Sequence, residues 1–485
     1  MSAAKTDQTV WRQPLPEDAD LAQQAAHAKS EHLLHDTRYP QELNDAVLQP
    51  MDRATLRFWL MFVVLFGAVI MWGVTWGVQI YYGIGITGLN RPVMWAIYIV
   101  NFVYFIGIGH AGTFISAALR ALKVEWRRPI SRVAELVTVF GLLAAAQFPL
   151  VHLGRVWKAF WLFPYPNERQ LWPSFHSPLV WDLVAISTYL TCSILFVYIS
   201  LMPDLAMARD HTQGWRNKLY TLLALGWRGS EREWANHEMA ANIFTYAIIP
   251  VMFSVHTIVS WDFAMALQPG WHSSIFGPYF VVGALFSGAG AVIIALVLAR
   301  KALRLDYFLR HEHFDGMAKF LLVLSLAWDY FYFNDLIVSW YGQAPVEKSI
   351  MNMLVRFDSI PSYLFYLMLC CNVLAPITLA FKRVRASLFG LFIVSLFVQI
   401  GMYLERVVIV PITLGQNWLP ASWGYYTLNL PETLITIGAF SFVIFMFFAA
   451  SRLIPFIPVW EVYEGQVLHS LRRIGRALVS TRTEH

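Results

Sequence analysis

Ten stretches of this chain run for more than twenty residues with few charges, at about 58–82, 92–119, 130–153, 178–202, 241–265, 277–299, 317–341, 359–381, 387–410 and 432–454. Each is long enough to cross about 30 Å of hydrocarbon as a helix. Lipid offers no hydrogen bonds to the backbone, so segments of this length must satisfy their own N–H and C=O groups, which a helix does. Composition agrees: 57% of the 485 residues are hydrophobic and only 14% charged, more apolar surface than a water-soluble body of this size could bury. The sequence therefore predicts an all-α integral membrane protein of about ten transmembrane helices. Residues 57–455 form its membrane domain, between a polar tail at 1–56 and a basic tail at 456–485.

The net charge of +5 reports orientation, not nucleic-acid binding. Segments 120–132, 204–237 and 300–319 hold five Lys or Arg each and 382–385 holds three, eighteen in all, against six in the alternate loops. Cytoplasmic loops collect positive charge, so both termini are expected on the cytoplasmic side. The first tail has no apolar run that could serve as a signal-peptide core. In the second, Val462, Leu468, Leu471, Ile474 and Leu478 fall near one helical face beside Arg472, Arg473 and Arg476. That suits a helix on the inner leaflet, with a frayed solvated end as the alternative. Short similarities, Phe276-Gly277-Pro278-Tyr279 with Trp423-Gly424-Tyr425-Tyr426 and Ser187-Thr188-Tyr189-Leu190 with Ser362-Tyr363-Leu364, suggest a repeat. Spans 2–5 and 6–9 then form two four-helix bundles flanked by spans 1 and 10.

A titratable side chain inside a bilayer costs at least a few kcal/mol, so each one is a functional candidate unless a structural partner satisfies it. His152 at the end of span 3, Asp182 near the start of span 4, His256 and Asp262 on span 5, Asp329 and Asp335 on span 7, and Glu405 with Arg406 on span 9 gather mostly in the outer half. Pro149 lies one turn before His152 and predicts a bend there. A histidine has an unperturbed pKa of about 6.5 and can take or give a proton near neutral pH, and Asp182 would stabilise the charged form of His152, as proton-coupled chemistry on a quinol requires. Tyr189, seven residues beyond Asp182, could wall the pocket. His256 and Asp262 stand about 120° apart around their helix, so one of them is expected to be structural. His110, among glycines that invite close packing, is read first as a histidine held by a backbone carbonyl and second as a proton relay. For Arg406, a salt bridge to Asp335 or Glu405 and a place on a proton path, with Gln399 and Tyr403 on its face, both stay open.

Cys192, Cys370 and Cys371 all lie in apolar stretches, which excludes a disulfide scaffold and a Cys-ligated zinc or iron–sulfur site within this chain. The spacing of the histidines gives no support to a haem b, although two of the three could ligate one.

The segments Phe148-Pro149-Leu150-Val151-His152-Leu153-Gly154-Arg155, Trp181-Asp182, His256-Thr257-Ile258-Val259-Ser260-Trp261-Asp262 and Glu405-Arg406 resemble the polysulfide-reductase membrane subunit (NrfD-like) family. Within it the likeness is to the larger such subunit of alternative complex III. The resemblance implies a quinol or quinone site near the periplasmic face of a bacterial inner membrane, with His152, Asp182 and Asp262 as catalytic groups. Arg155, Tyr189 and His256 would join them in holding the quinol. A proton path would use His110, Asp329, Asp335, Glu405 and Arg406. The implied partners are a periplasmic iron–sulfur subunit, other membrane subunits including a paralogous NrfD-like chain, multihaem cytochrome c subunits and the lipid bilayer. The competing classes are a secondary transporter, whose site would lie near mid-membrane, and a structural anchor without a site of its own. The expectation of no intrinsic redox centre is checked on the isolated chain: it should show no haem α-band and no stoichiometric iron.

Overall fold

The computed structural model describes residues 47–48, 51–52, 54–163, 174–462, 464, 471–474 and 477–480. Among them are ten helices long and apolar enough to span a membrane: α1 Leu56–Tyr82, α2 Ile97–Ala121, α3 Glu125–Leu153, α4 Pro178–His211, α5 Glu231–Ala264, α6 Phe276–Leu303, α7 His311–Gly342, α8 Ile360–Ala380, α9 Leu388–Ile412 and α10 Leu430–Leu453. Their ends follow local chemistry. Thr55 accepts a hydrogen bond from the Phe58 amide to start α1, Ser230 and Glu233 form a reciprocal cap on α5, and Pro178 opens α4, where its missing N–H costs nothing. Gly83 and Gly154 close α1 and α3 at φ of +85° and +67°, conformations that other residues rarely adopt.

Burial ranks the helices. In α2, 89% of the apolar window is buried, against 11% in α1, so α2 is central and α1 peripheral. Helix α2 packs on α3 and on α6, α4 packs on α5 and α3, and these form the first bundle, α2–α5. Helices α6–α9 form the second, joined to the first where α6 meets α2 and α5. Helices α1 and α10 pair with each other against α2 and α3. Glycine makes the central contacts possible. A Cβ at Gly112 would stand 2.1 Å from the Ala134 carbonyl oxygen on α3, and one at Gly288 would stand 2.6 Å from that of Ile108.

A polar seam joins the bundles as well. Tyr403 donates to Asn101 at 2.8 Å, Tyr104 donates to Gln399 at 2.8 Å, and Gln399 donates to the Ser287 carbonyl at 2.6 Å.

Both ends of the described chain meet the arginine-rich end of the bundles. Arg216 pairs with Asp52 at 2.7 Å. Glu461, 1% exposed, receives Arg127 at 2.7 Å and Arg120 at 3.2 Å, and Trp460 donates to the Ser200 carbonyl at 3.0 Å. The tail is not one amphipathic helix. It is helical at 459–462, and further on Leu471–Ile474 pairs antiparallel with Ala477–Ser480, Ile474 opposite Ala477. The expectations for residues 1–46 lie outside the described residues.

Burial pushes the Glu461 pKa up, but Arg127, Arg120 and Arg128 outweigh it and hold the carboxyl below the usual glutamate range. A depressed folded pKa stabilises above the ordinary value, about 4.3, and that contribution is lost as pH falls through and below it. A spin label at position 462 should therefore stay immobile at neutral pH and loosen only in acid. In Glu461→Gln, which leaves buried arginines unpaired at a cost of about 3–5 kcal/mol, it should be mobile already at pH 7.

Candidate functional site

The site begins with the end of α3. The helix is interrupted at Ala146 and Gln147, and a last turn, Phe148–Leu153, restarts with Pro149 near its first position. This leaves His152 half-buried on a short turn whose Val151 carbonyl accepts from the Gly154 N–H at 3.3 Å. Gln79 of α1 adds a second donor: its amide donates to the Val151 carbonyl at 2.8 Å, while Tyr98 donates to Gln79 Oε1 at 2.5 Å. The neighbour of His152 is thus fixed from another helix. His152 Nδ1 itself is buried with no partner among the described residues.

At the same end of the first bundle, Asp182 stands in the second turn of α4 and Asp262 in the last turn of α5, on helices that pack together. Each keeps its Oδ1 buried and without a partner among the described residues. The preceding residues meet too: Trp181 and Trp261 pack edge to face at 6.0 Å. Three buried polar atoms with no partner among the described residues, and two indoles, are thus set at one end of the bundle. Arg155 is exposed beyond the end of α3.

Tyr189, two turns deeper on α4, is fully buried. Its hydroxyl donates to the Gly109 carbonyl at 3.1 Å and lies 2.7 Å from that of Thr113, so it is tied to α2. The ring packs 4.9 Å from His110. His110 has Nδ1 2.7 Å from the Ile106 carbonyl oxygen and Nε2 2.9 Å from that of Met252. His256 packs on His110 at 4.5 Å and on Phe280 at 6.1 Å, and neither of its nitrogens has a partner among the described residues. Asp262 therefore belongs to the upper layer with Asp182, and His256 to the lower layer with His110 and Tyr189. The helical angle between them is realised as a separation in depth.

In the second bundle, Arg406 pairs with Glu405 at 2.5 Å, with Glu405 wholly enclosed, and the guanidinium lies 4.8 Å over the Phe280 ring. Glu405 also accepts from Trp328 Nε1 at 2.8 Å and from the Tyr279 hydroxyl. Trp328, not Asp329, is thus the α7 residue that reaches it. Asp329 points about 100° away around the helix, with Oδ1 buried and without a partner among the described residues. Asp335 lines a separate cavity. Sequence reasoning passed over Gln79, Trp328 and Tyr279 as partners. Gln79 left one signal, as the only carboxamide in α1.

A family model described as "Polysulphide reductase, NrfD" matches residues 85–419. The matched stretch starts before α2 and stops after α9, so it coincides with the two bundles and leaves out α1 and α10. The chain is 26% identical over 227 residues to a putative dimethyl sulfoxide reductase membrane subunit of Halobacterium salinarum; this alignment covers 46% of the chain and 48% of that protein, about half its length. It is 22% identical over 420 residues to a selenate reductase subunit of Mesobacillus selenatarsenatis, covering 82% of the chain and 92% of that protein. With most of its length matched and both bundles inside the match, the chain belongs to the polysulphide reductase NrfD family, membrane subunits of oxidoreductase complexes.

Proposed function

We propose that this chain is the quinol-oxidising membrane subunit of a respiratory complex, with its site at the His152 end of the first bundle. The observation that carries the reading is the set of unpartnered buried atoms there: His152 Nδ1 and the Oδ1 atoms of Asp182 and Asp262. A quinol brings two hydroxyl donors, and oxidation to quinone releases two protons and two electrons. His152 accepts one proton. Asp182, with Asp262 at the same end of the bundle, accepts the other. Trp181 and Trp261 offer apolar walls to the ring, and Arg155 stands at the rim.

The electrons leave to an iron–sulfur cluster of a partner subunit, since three cysteines are too few to ligate one in this chain. By the excess of Lys and Arg at the opposite end, the site faces the periplasmic side of a bacterial inner membrane. The larger NrfD-like subunit of alternative complex III is the nearest role in this reading, alongside a paralogous membrane chain and multihaem cytochrome c subunits. Quinol oxidised near that face, with electrons also leaving outward, separates little charge. Coupling therefore falls to a separate proton path, for which Asp329, Asp335, Glu405 and Arg406 in the second bundle and His110 in the first are the groups at hand. Relatives named as subunits of dimethyl sulfoxide and selenate reductases support an oxidoreductase setting.

His152→Ala should lower quinol-dependent turnover of the assembled complex by about 10² or more, the usual scale for removing a general base. Turnover at the wild-type rate removes His152 from the chemistry. Gln79→Leu keeps the proton acceptor but frees the turn that carries it. It should cost about 10-fold in turnover while spectra and subunit content remain those of the wild type, and an unchanged rate shows that the Val151 contact does not position His152.

A further inference from the structure

Glu405 has no exposed surface, yet one of its hydrogen bonds leads out of the protein. The Tyr279 hydroxyl that donates to it belongs to a side chain that also walls a cavity of about 70 Å³ near the same end of the second bundle as the loops 266–276 and 342–358. Tyr332, Asp335, Ser339 and Glu347, each with an oxygen-bearing side chain, are among the residues that line the cavity. Val408 and Ile409, in the π-helical turn Val408–Ile412 of α9, line it as well. A water needs about 10–15 Å³ and two to four polar partners, so the space and its lining suit several waters. At the surface, Glu347 Oε1 lies 3.3 Å from His272 Nε2, whose side chain is 48% exposed while that of Glu347 is 16% exposed. The sequence of groups is therefore an enclosed acid, a phenol, a polar cavity with two further carboxyl groups, and an imidazole in solvent.

We propose that this cavity is a water-filled vestibule for protons, and that Tyr279 is its inner gate. When Glu405 carries a proton, the carboxyl group passes it to the phenolic oxygen as the phenol gives its own proton to a vestibule water. One proton moves, no electron does, and rotation of the hydroxyl resets the gate. Asp335 and Glu347 then hold or release the proton beside His272. The proposal rests on the reading above only in assigning the second bundle a part in proton transfer, and it adds an exit that the spacing of Asp329, Asp335, Glu405 and Arg406 did not contain.

Two measurements on the assembled complex test it separately from quinol turnover. In a background with the three native cysteines replaced, Ser339→Cys should react with a small membrane-impermeant methanethiosulfonate added to the His152 side of sealed membranes, whereas Ala289→Cys, fully buried between the bundles, should not. Protection of Ser339→Cys equal to that of Ala289→Cys means a dry cavity and overturns the vestibule. The infrared carboxyl band of Glu405, identified by its loss in Glu405→Gln, should exchange with D₂O at least about ten-fold more slowly in Tyr279→Phe than in wild type. Equal exchange rates overturn the gate. Neither readout needs net proton translocation, so a complex that oxidises quinol without moving further protons would count against the coupling reading while these two results still decide the vestibule.

Discussion

Close approach of α2 to its neighbours is the constraint on which the rest depends. With glycine at 112 and 288, the backbones of α3 and α6 come near enough to fix both bundles against one central helix. Without a hydrophobic force between helices in lipid, such small-residue contacts and the hydrogen bonds around them are what set helix rotation. That rotation decides which side chains meet. It turns Thr113 and the Gly109 carbonyl toward Tyr189, His110 toward His256, and Asn101 and Tyr104 toward α9.

The buried polar groups then divide into two kinds. Arg132 with Asp204 at 2.9 Å and Glu405 with Arg406 at 2.5 Å are paired ions, and such pairs add little net stability but are costly to break. His152, Asp182, Asp262 and His256 retain buried atoms without a partner among the described residues. Asp329 and Asn372 in the second bundle also keep buried atoms without a partner among the described residues, so open hydrogen-bonding positions are found in both bundles.

The span count and helix type were legible because length and apolarity are properties of one segment at a time. The α3 interruption was legible for the same reason, since Pro149 acts on its own helix. Contacts across helices were not. Glu405 and Arg406 could be placed on α9, but whether Trp328 or Asp329 faced them turns on one residue's rotation, about 100°. The angle between His256 and Asp262 rules out one shared position, while the depth difference that separates them depends on the neighbouring helices. In the tail, an apolar pattern of helical period suggested one helix, whereas Leu471–Ile474 and Ala477–Ser480 pair as strands.

Helix α1 is peripheral to both bundles and lies outside the family match, yet its one carboxamide holds the turn that bears His152. Its 27 residues make a rod of about 40 Å, longer than the roughly 30 Å of hydrocarbon around it, and a rod of that length accommodates by leaning. Since Gln79 sits near the end of the rod, the lean sets the height at which its amide meets Val151. Bilayer thickness thereby becomes a mechanical input to the turn that bears His152.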